Sequence, residues 1–385
     1  MTKCLLVSPR FPDFSYWNYR EVCELFGARY PSAPLGLVTA AALLPREWEI
    51  RLLDLNVRAM DTALIDWADI VMAGGMIPQQ RSLLALIEFC HARGKRIVVG
   101  GQDPTSQPEV YAAADYLVLD EGEMTIPAFL ADLSAGATRG TYRSEAKPDV
   151  TQSPTPRFDL LELTKYLHVG VQFSRGCPFS CEFCDIIELY GRMPRTKTSQ
   201  QVLRELECLR RLGYTGHVDF VDDNFIGHKK SVMAFLPDLL TWSRERGFPF
   251  YFSTEATVNL ADDPTLLAMM EDVGLQDLTP LRAGSCSRKR RPGSPASPSS
   301  SAGRSRSGRR SGSPSGRPPQ PWGWHCCSRR STSPMTSRVP SRPSRRREPT
   351  RCWSARRPRP SSASAWSSTS PPGIGCRRSA ATRIR

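Results

Sequence analysis

The sequence predicts an α/β protein in which a parallel, doubly wound sheet is followed by a second run of βα units. Short apolar runs alternate with helical patterns from residue 3 to residue 274, and this alternation is typical of parallel sheets. A cysteine triplet lies at the start of the second run. After Gly274 the alternation stops, and a long basic segment without a hydrophobic period begins. These three observations define the predicted organisation.

The first run covers residues 1–140. Apolar or alternating segments predict five strands, and patterns with a 3.6-residue period predict the helices between them. The predicted strands are 3–8, 49–55, 69–73, 96–99 and 115–119, and the predicted helices are 34–44, 79–93 and a segment ending near 133. The aromatic stretch 10–30 is either a packed surface loop or a wall over a bound ligand.

Glycine pairs follow two of these strands: Gly74 and Gly75 after one, Gly100 and Gly101 after the next. Ligands of doubly wound sheets bind outside the carboxyl ends of the strands, where glycine lets them approach the backbone. The same glycines would also allow tight turns, so the fold alone leaves both interpretations open.

Residues 141–165 are polar and proline-containing, which predicts a linker. Three more βα units follow, with strands at 166–173, 217–221 and 250–254. The helices are expected at 200–212 after an N-cap at Ser199, at 231–246 with a kink at Pro237, and from Asp263-Pro264 onward. After Gly274 the residues L-Q-D-L hint at a fourth strand that does not complete.

Cys177, Cys181 and Cys184 are spaced C-x3-C-x2-C on the loop after the strand at 166–173. Three thiolates on one loop cannot complete a tetrahedral zinc site. They can hold three irons of a [4Fe–4S] cluster and leave the fourth iron open to another ligand.

This spacing, with Phe183 before the last cysteine, resembles the radical S-adenosylmethionine (SAM) superfamily. The order of the two regions, together with the G-G-x-x-P at Gly100 and the D-E-G-E at Asp120, resembles its cobalamin-binding branch. The resemblance implies an N-terminal flavodoxin-like (Rossmann-like) cobalamin-binding domain and an incomplete (βα) partial TIM barrel. The implied divisions are domain 1–140, linker 141–165, partial barrel 166–278 and tail 279–385.

The resemblance also implies site residues. Phe183, Asp222, Asp223 and Glu255 would contact SAM, although Asp222 and Asp223 could instead cap the next helix. Residues implied for cobalamin are Gly74, Gly75, Gly100, Gly101, Glu121 and Gly122.

The histidines have no assigned chemistry. The first domain lacks D-x-H-x-x-G, so we expect cobalamin without a histidine below the cobalt and His91 as an ordinary helix residue. His217 and His228 are expected to be structural.

The expected reaction is transfer of a methyl group from methylcobalamin to an unactivated carbon, after a 5′-deoxyadenosyl radical has removed a hydrogen atom. The stretches W-E-x-R at Trp48 and W-A-D at Trp67 are similar to hopanoid methylases and suggest a lipid substrate. An electron donor such as flavodoxin or ferredoxin is implied. The alternatives are a cobalamin radical SAM enzyme that does not methylate, an inactive truncated product, and a basic binding protein.

The amino-acid composition limits the expected partners and cellular location of the protein. The net charge of +14 comes from the segment after residue 280, which holds 24 Arg and one Lys against one acid, whereas the preceding residues are acidic overall. Nucleic-acid binding would therefore rest on the tail alone. No long apolar run or signal peptide is evident, and an iron–sulfur site favours the reducing cytoplasm.

The tail, 279–385, is rich in Arg, Ser and Pro and is expected to be disordered, because it cannot bury enough apolar area. One interpretation is a genuine polyanion-binding arm. The other is translation of a GC-rich gene in a shifted frame, which the abrupt onset and stray Trp322, Trp324, Cys326 and Cys327 favour. A shifted frame would remove the last barrel strands and leave the product inactive.

Overall fold

The computed structural model of the protein describes residues 1–15 and 18–280 and contains two parallel sheets with helices packed against them. Most of the predicted tail therefore lies outside the described residues. In the first half the strands are β1 Lys3–Ser8, β2 Tyr30–Ser32, β3 Glu49–Asp54, β4 Ile70–Gly74, β5 Arg96–Gly100, β6 Tyr116–Val118 and β7 Gly140–Tyr142. The helices are α1 Arg20–Leu25, α2 Leu35–Ala42, α3 Thr62–Trp67, α4 Gln80–His91, α5 Gln102–Ser106 and α6 Gly122–Ser134.

The first sheet has the order β3-β1-β4-β5-β6-β7, and every pair in it is parallel. The side of the sheet to which the chain adds successive strands changes between β1 and β4. This is the flavodoxin-like arrangement, in which the ligand crevice lies at that switch point. The five predicted strands are present. The sixth, β7, extends the sheet into the segment that the sequence predicted to be a linker.

Helices cover both faces of this sheet, as the doubly wound prediction requires. One face packs side chains of α3 and α4, including Ile65, Leu83 and Ile87, against the sheet. The other packs α2 and α6, including Ala41 and Phe129. The inner strands β1, β4, β5 and β6 are largely buried on both faces, which explains why they are nearly continuous apolar runs, whereas the edge strand β3 alternates.

In the second half the strands are β8 Tyr166–Val171, β9 Ser174–Arg175, β10 Arg195–Thr196, β11 Gly216–Phe220, β12 Phe250–Ala256 and β13 Leu275–Pro280. The helices are α7 Ile186–Leu189, α8 Ser199–Arg211, α9 Lys229–Glu245 and α10 Pro264–Asp272. The second sheet has the order β13-β12-β11-β8-β2, all parallel, whereas β9 and β10 form a short antiparallel ribbon.

Two strands of this sheet differ from the sequence prediction. The fourth strand does form, because β13 pairs with β12 from Phe252 to Ala256 across a register shift. The stretch predicted to be a loop or wall contributes β2, which pairs with β8 at Tyr30↔Tyr166. A three-residue strand containing proline carries little local signal, so only its long-range partner reveals it.

Helix ends follow the predicted chemistry with one correction. Asp263 caps α10 by accepting the Leu266 N–H at 3.1 Å, as predicted. The cap of α8 is Thr198 and not Ser199, because Thr198 forms a capping box with Gln201. Helix α9 continues through Pro237. Within the described part of the chain, no helix has the length and apolar character needed to cross a bilayer.

Candidate functional site

The three predicted cluster ligands lie on one loop, Gly176–Asp185, which we call the thiol loop. It follows β9, and α7 begins directly after it. The Cys177 side chain is buried, and burial raises its pKa, whereas Cys181 and Cys184 are half-buried. The Cys184 N–H donates to the Cys181 carbonyl at 3.1 Å, so these two residues share one turn. The loop therefore presents three thiols from a short stretch of chain.

Asp222 fixes the chain just before the thiol loop. Its carboxylate accepts the Phe173 N–H at 3.0 Å and both the N–H and the hydroxyl of Ser174. The group is buried, and that burial raises its pKa to about 7 despite these hydrogen bonds. Contact of Asp222 with SAM stays a prediction. In the structure both carboxylate oxygens instead accept hydrogen bonds from Phe173 and Ser174, and Asp222 does not cap the next helix.

Asp223 holds the first residue of the loop, because its carboxylate accepts the Gly176 N–H at 2.9 Å. Burial raises its pKa to about 6, and Arg175 opposes that effect. Gly176 has φ +93°, and a Cβ there would lie 2.8 Å from the Gly191 carbonyl oxygen and 3.1 Å from that of Met193. The backbone thus closes around Gly176 with no room for a side chain.

This crowding yields a prediction for Gly176→Ala. We expect it to lower the free energy of unfolding by about 3–4 kcal/mol, because strain at positive φ and overlap with backbone oxygens act together. Gly191→Ala is the matched control: Gly191 has φ +85° but open space around its Cβ position, so about 1–2 kcal/mol is expected. Urea unfolding of both full-length variants measures the difference. Equal losses would show that loop closure does not restrict Gly176.

The donor set of the thiol loop fits an iron–sulfur cluster in its chemistry. All three cysteines are free of disulfides, and the loop between Pro178 and Asp185 has no helix or strand that fixes the sulfurs apart. Across residues 1–15 and 18–280, no group of three or more His, Cys, Asp or Glu side chains is gathered closely enough to hold a metal ion. Ligation by these thiolates therefore stays a prediction that the free thiols support.

The other residues predicted to contact SAM differ in exposure. Phe183 is 81% exposed on the thiol loop. Glu255, near the end of β12, is half-buried, and burial together with Asp219 and Asp223 raises its pKa. No described residue forms a hydrogen bond with the Glu255 carboxylate, which leaves it available to a cationic ligand.

A buried ion cluster, Glu121, Glu123, Arg175 and Arg195, joins β9 and β10, the strands on either side of the thiol loop, to the start of α6. Arg175 binds Glu121 at 2.8 Å and Glu123 at 2.8 Å, and Arg195 binds Glu121 at 2.8 Å. Burial alone would raise the pKa of Glu123, but the hydrogen bonds and charge of Arg175 lower it. The Glu121 carboxylate, predicted to contact cobalamin, is thus occupied by two arginines in the structure.

A second contact links the same regions: Gln102, after β5, donates to the Tyr190 hydroxyl at 3.2 Å. Sequence reasoning did not find the ion cluster beyond Glu121, nor this contact. Their residues are far apart in the chain and form no motif, although the two glutamates of E-G-E and the arginine of S-R-G were visible.

Four of the five predicted cobalamin glycines, Gly74, Gly75, Gly100 and Gly101, lie together at the carboxyl ends of β4 and β5, which we call the glycine edge. A Cβ on Gly100 would lie 2.4 Å from the Val118 carbonyl oxygen, and one on Gly101 would lie 3.0 Å from the Gly75 nitrogen. A Cβ on Gly74 would lie 3.1 Å from the Gly100 oxygen. These three glycines are therefore required by the close approach of neighbouring backbone, which the sequence could not distinguish from ligand contact.

Two of the predicted glycines are less constrained. A Cβ on Gly75 would lie 3.4 Å from the Gln79 Cβ, an ordinary contact, and one on Gly122 would meet the flexible Ile126 side chain at 3.1 Å. His91 binds Asp115 at 3.0 Å on the outer side of α4, which agrees with an ordinary helix-face position.

Comparison with known proteins adds relatives in sequence and in fold. An uncharacterised methyltransferase of Synechocystis sp. is 50% identical over 270 residues, 70% of this chain and 50% of the relative. The hopanoid C-2 methylase of Rhodopseudomonas palustris is 38% identical over 243 residues, 62% of this chain and 46% of that protein. The chain spans about half the length of these curated relatives. No family model matches the chain.

Solved structures show the same fold. The cobalamin-dependent SAM radical enzyme OxsB, with aqua-cobalamin and SAM bound, superposes with a TM-score of 0.56 at 19% identity, covering 72% of this chain and 43% of OxsB. The radical SAM methyltransferase TsrM of Kitasatospora setae, with cobalamin and a [4Fe–4S] cluster bound, gives 0.56 at 16% identity, covering 72% and 60%. The predicted fold is confirmed for the described residues.

Proposed function

Because the chain is a homologue of hopanoid C-2 methylase and of methyltransferases in the cobalamin radical SAM class, we propose that it is a cobalamin-dependent radical SAM methyltransferase. Its acceptor is an unactivated carbon of a small or lipid molecule. The proposal concerns the activity of the whole protein. This chain spans about half the length of its relatives.

The observation that carries the proposal is the contact between the segments that flank the thiol loop and the residues that follow β5 and β6 of the first sheet. The ion cluster and the Gln102–Tyr190 hydrogen bond hold the two regions together. A ligand on the thiol loop and a ligand at the glycine edge would therefore lie in the same part of the molecule. Methyl transfer between two cofactors requires such a meeting point.

When bound, the cluster, SAM and cobalamin supply the electron, the radical and the methyl group. The chain's part is to hold and orient them. Cys177, Cys181 and Cys184 bind the cluster, and Asp222 and Asp223 keep the loop's start in place through backbone hydrogen bonds.

Two groups contact SAM in this proposal. Phe183 is exposed, and the Glu255 carboxylate has no hydrogen-bond partner among the described residues. The Glu255 carboxylate is suited to the amino group of SAM, since it is half-buried and has no hydrogen bond from the described residues. Gly75 and Gly122 give cobalamin access to the backbone, whereas Gly74, Gly100, Gly101 and Glu121 shape the edge beneath it. The proposal also includes an external electron donor, such as flavodoxin or ferredoxin, and a cytoplasmic location.

Methyl transfer is tested with full-length protein reconstituted without oxygen and supplied with cobalamin, a reductant and SAM carrying a trideuteromethyl group. We expect 5′-deoxyadenosine and a hopanoid-type triterpenoid that gains one labelled methyl group. Gly75→Leu should weaken cobalamin retention at least tenfold, because it adds bulk at the glycine edge beside Gln79 and Leu83, whereas Gly36→Leu on exposed α2 should not. Formation of 5′-deoxyadenosine without label transfer would contradict methylation and favour another radical reaction. Equal cobalamin retention by both variants would contradict the glycine edge as its site.

A further inference from the structure

The inner face of the second sheet carries a row of polar side chains that the thiol loop does not use. Along β11 and β12, His217, Asp219, Ser253 and Glu255 alternate with the buried Val218, Phe220, Phe252 and Thr254. The apolar set packs beneath α8 and α9. Because side chains alternate across a strand, the polar set shares the opposite, concave face.

These side chains contact one another across three strands. His217 and Ser253 share a hydrogen bond of 2.6 Å, and the Ser253 hydroxyl donates to Asp219. The His168 ring on β8 lies 5.1 Å from the His217 ring, which stacks on Tyr251 at 4.9 Å. We call His168, His217, Asp219 and Ser253 the inner polar row.

The hydrogen bonds fix the tautomer of His217. Since the single Ser253 proton is donated to Asp219, the Ser253 oxygen must accept the Nε2–H of His217. Nδ1 of a neutral His217 then carries a lone pair. Burial and the neighbouring His168 lower the pKa of His217 to about 4, so the ring is neutral at physiological pH. Burial also lowers the pKa of His168, although Asp219 opposes this.

The row has hydrogen-bonding capacity left over. Within the described part of the chain, the two ring nitrogens of His168 and the Nδ1 of His217 form no hydrogen bond. Neither ring is fully buried. Buried polar groups are normally satisfied, so open nitrogens on a concave face indicate a place for water or a ligand.

The face between this row and the thiol loop is mixed: Val221 lies beside β8, and Glu255 of β12 lies level with Val221, since Phe220 pairs with Thr254. At Gly170 a Cβ would meet Val221 at 3.0 Å and Leu35 of α2 at 3.6 Å. Asp223, which holds the loop, lies four residues beyond Asp219, or about 13 Å along the strand direction. The face thus runs from the polar row past Val221 and the Glu255 carboxylate to Asp223.

We propose that the inner polar row binds an uncharged hydroxyl group of the substrate. A hydroxyl can donate to Nδ1 of His217 and accept from His168, whereas a hydrocarbon leaves both unsatisfied. This inference rests on the proposed methyl transfer and specifies its substrate class.

Binding of a matched pair of probes tests the inference without any cofactor. The probes are a hopanoid-type triterpene alcohol and its parent hydrocarbon, measured by equilibrium dialysis in detergent with oxygen-free full-length protein. We expect the alcohol to bind on the order of tenfold more tightly. His217→Phe keeps the ring stacked on Tyr251 and should reduce the ratio to about one, whereas His91→Phe on α4 should leave it unchanged.

Nitrogen NMR of labelled histidine in the wild-type protein gives a second readout that requires no variant to fold. The alcohol should shift the His217 Nδ1 resonance and the hydrocarbon should not. Equal affinity for the two probes, or a ratio unaffected by His217→Phe, would overturn the subsite. Because binding needs no radical chemistry, the subsite can fail while methyl transfer succeeds, or the reverse.

Discussion

Cys177→Ala should abolish cluster binding: full-length protein reconstituted with iron and sulfide should lose its brown absorbance and its acid-labile sulfide. Formation of 5′-deoxyadenosine should fall by at least about 100-fold, because two thiolates cannot replace three. Cys181→Ala and Cys184→Ala should behave alike, since all three belong to one loop. Iron and sulfide analysis measures the loss directly.

Cys208→Ala is the matched control for this series. Cys208 is a free, half-buried cysteine on α8, outside the thiol loop, so its replacement should leave iron content unchanged. Retention of a full cluster by Cys177→Ala would contradict the assignment of the loop. Selective uptake of zinc by the wild-type protein would contradict it as well.

Arg175→Met should lower the free energy of unfolding by about 3–5 kcal/mol, because it removes one partner from a buried ion cluster. Arg195 still binds Glu121 in this variant, so the group left without a cation is Glu123, which keeps the Ser153 hydroxyl at 2.6 Å. The double variant Arg175→Met with Glu123→Gln should therefore recover part of the loss. Denaturant unfolding of the full-length proteins provides the values.

The pH dependence of this loss follows from the sign of the Glu123 shift. Arg175 lowers the pKa of Glu123 in the folded state, so the ion pair stabilises the protein above the ordinary carboxyl pKa and is lost as pH falls below it. The difference between wild type and Arg175→Met should therefore shrink below about pH 4.

Arg93→Met is the control for this pair of variants, since Arg93 and Asp66 form an ion pair on the surface. Its loss should cost no more than about 1 kcal/mol. A similar cost for Arg93→Met and Arg175→Met would show that the ion cluster does not hold β9 and β10 to the start of α6.

Local patterns in the sequence predicted most of the framework. The βα alternation gave the five strands β1, β3, β4, β5 and β6 and the first three strands of the second run, each within a few residues. The cap at Asp263 was correct because capping depends only on residues three or four apart. The cap at Thr198 was missed because its neighbour Ser199 has the stronger intrinsic preference for that position.

Patterns that depend on distant contacts were not predictable. β2 is defined by pairing with β8, more than 130 residues later, and β7 by pairing with β6 inside a polar stretch. The inner polar row was also missed: His217 was considered structural, and its bond to Ser253 needs the β11–β12 register to be known.

The amino-acid sequence by itself determined the thiol loop, the alternating elements and the positions of the glycines, because spacing and periodicity are properties of neighbouring residues. Only the tertiary structure decided what those residues contact. It placed Glu121 against Arg175 and Arg195, Asp222 beneath the thiol loop, and Gly100 against the Val118 backbone. The physical reason is that burial and pairing are set by residues brought together from different elements. The sequence of one strand does not specify which strand lies beside it.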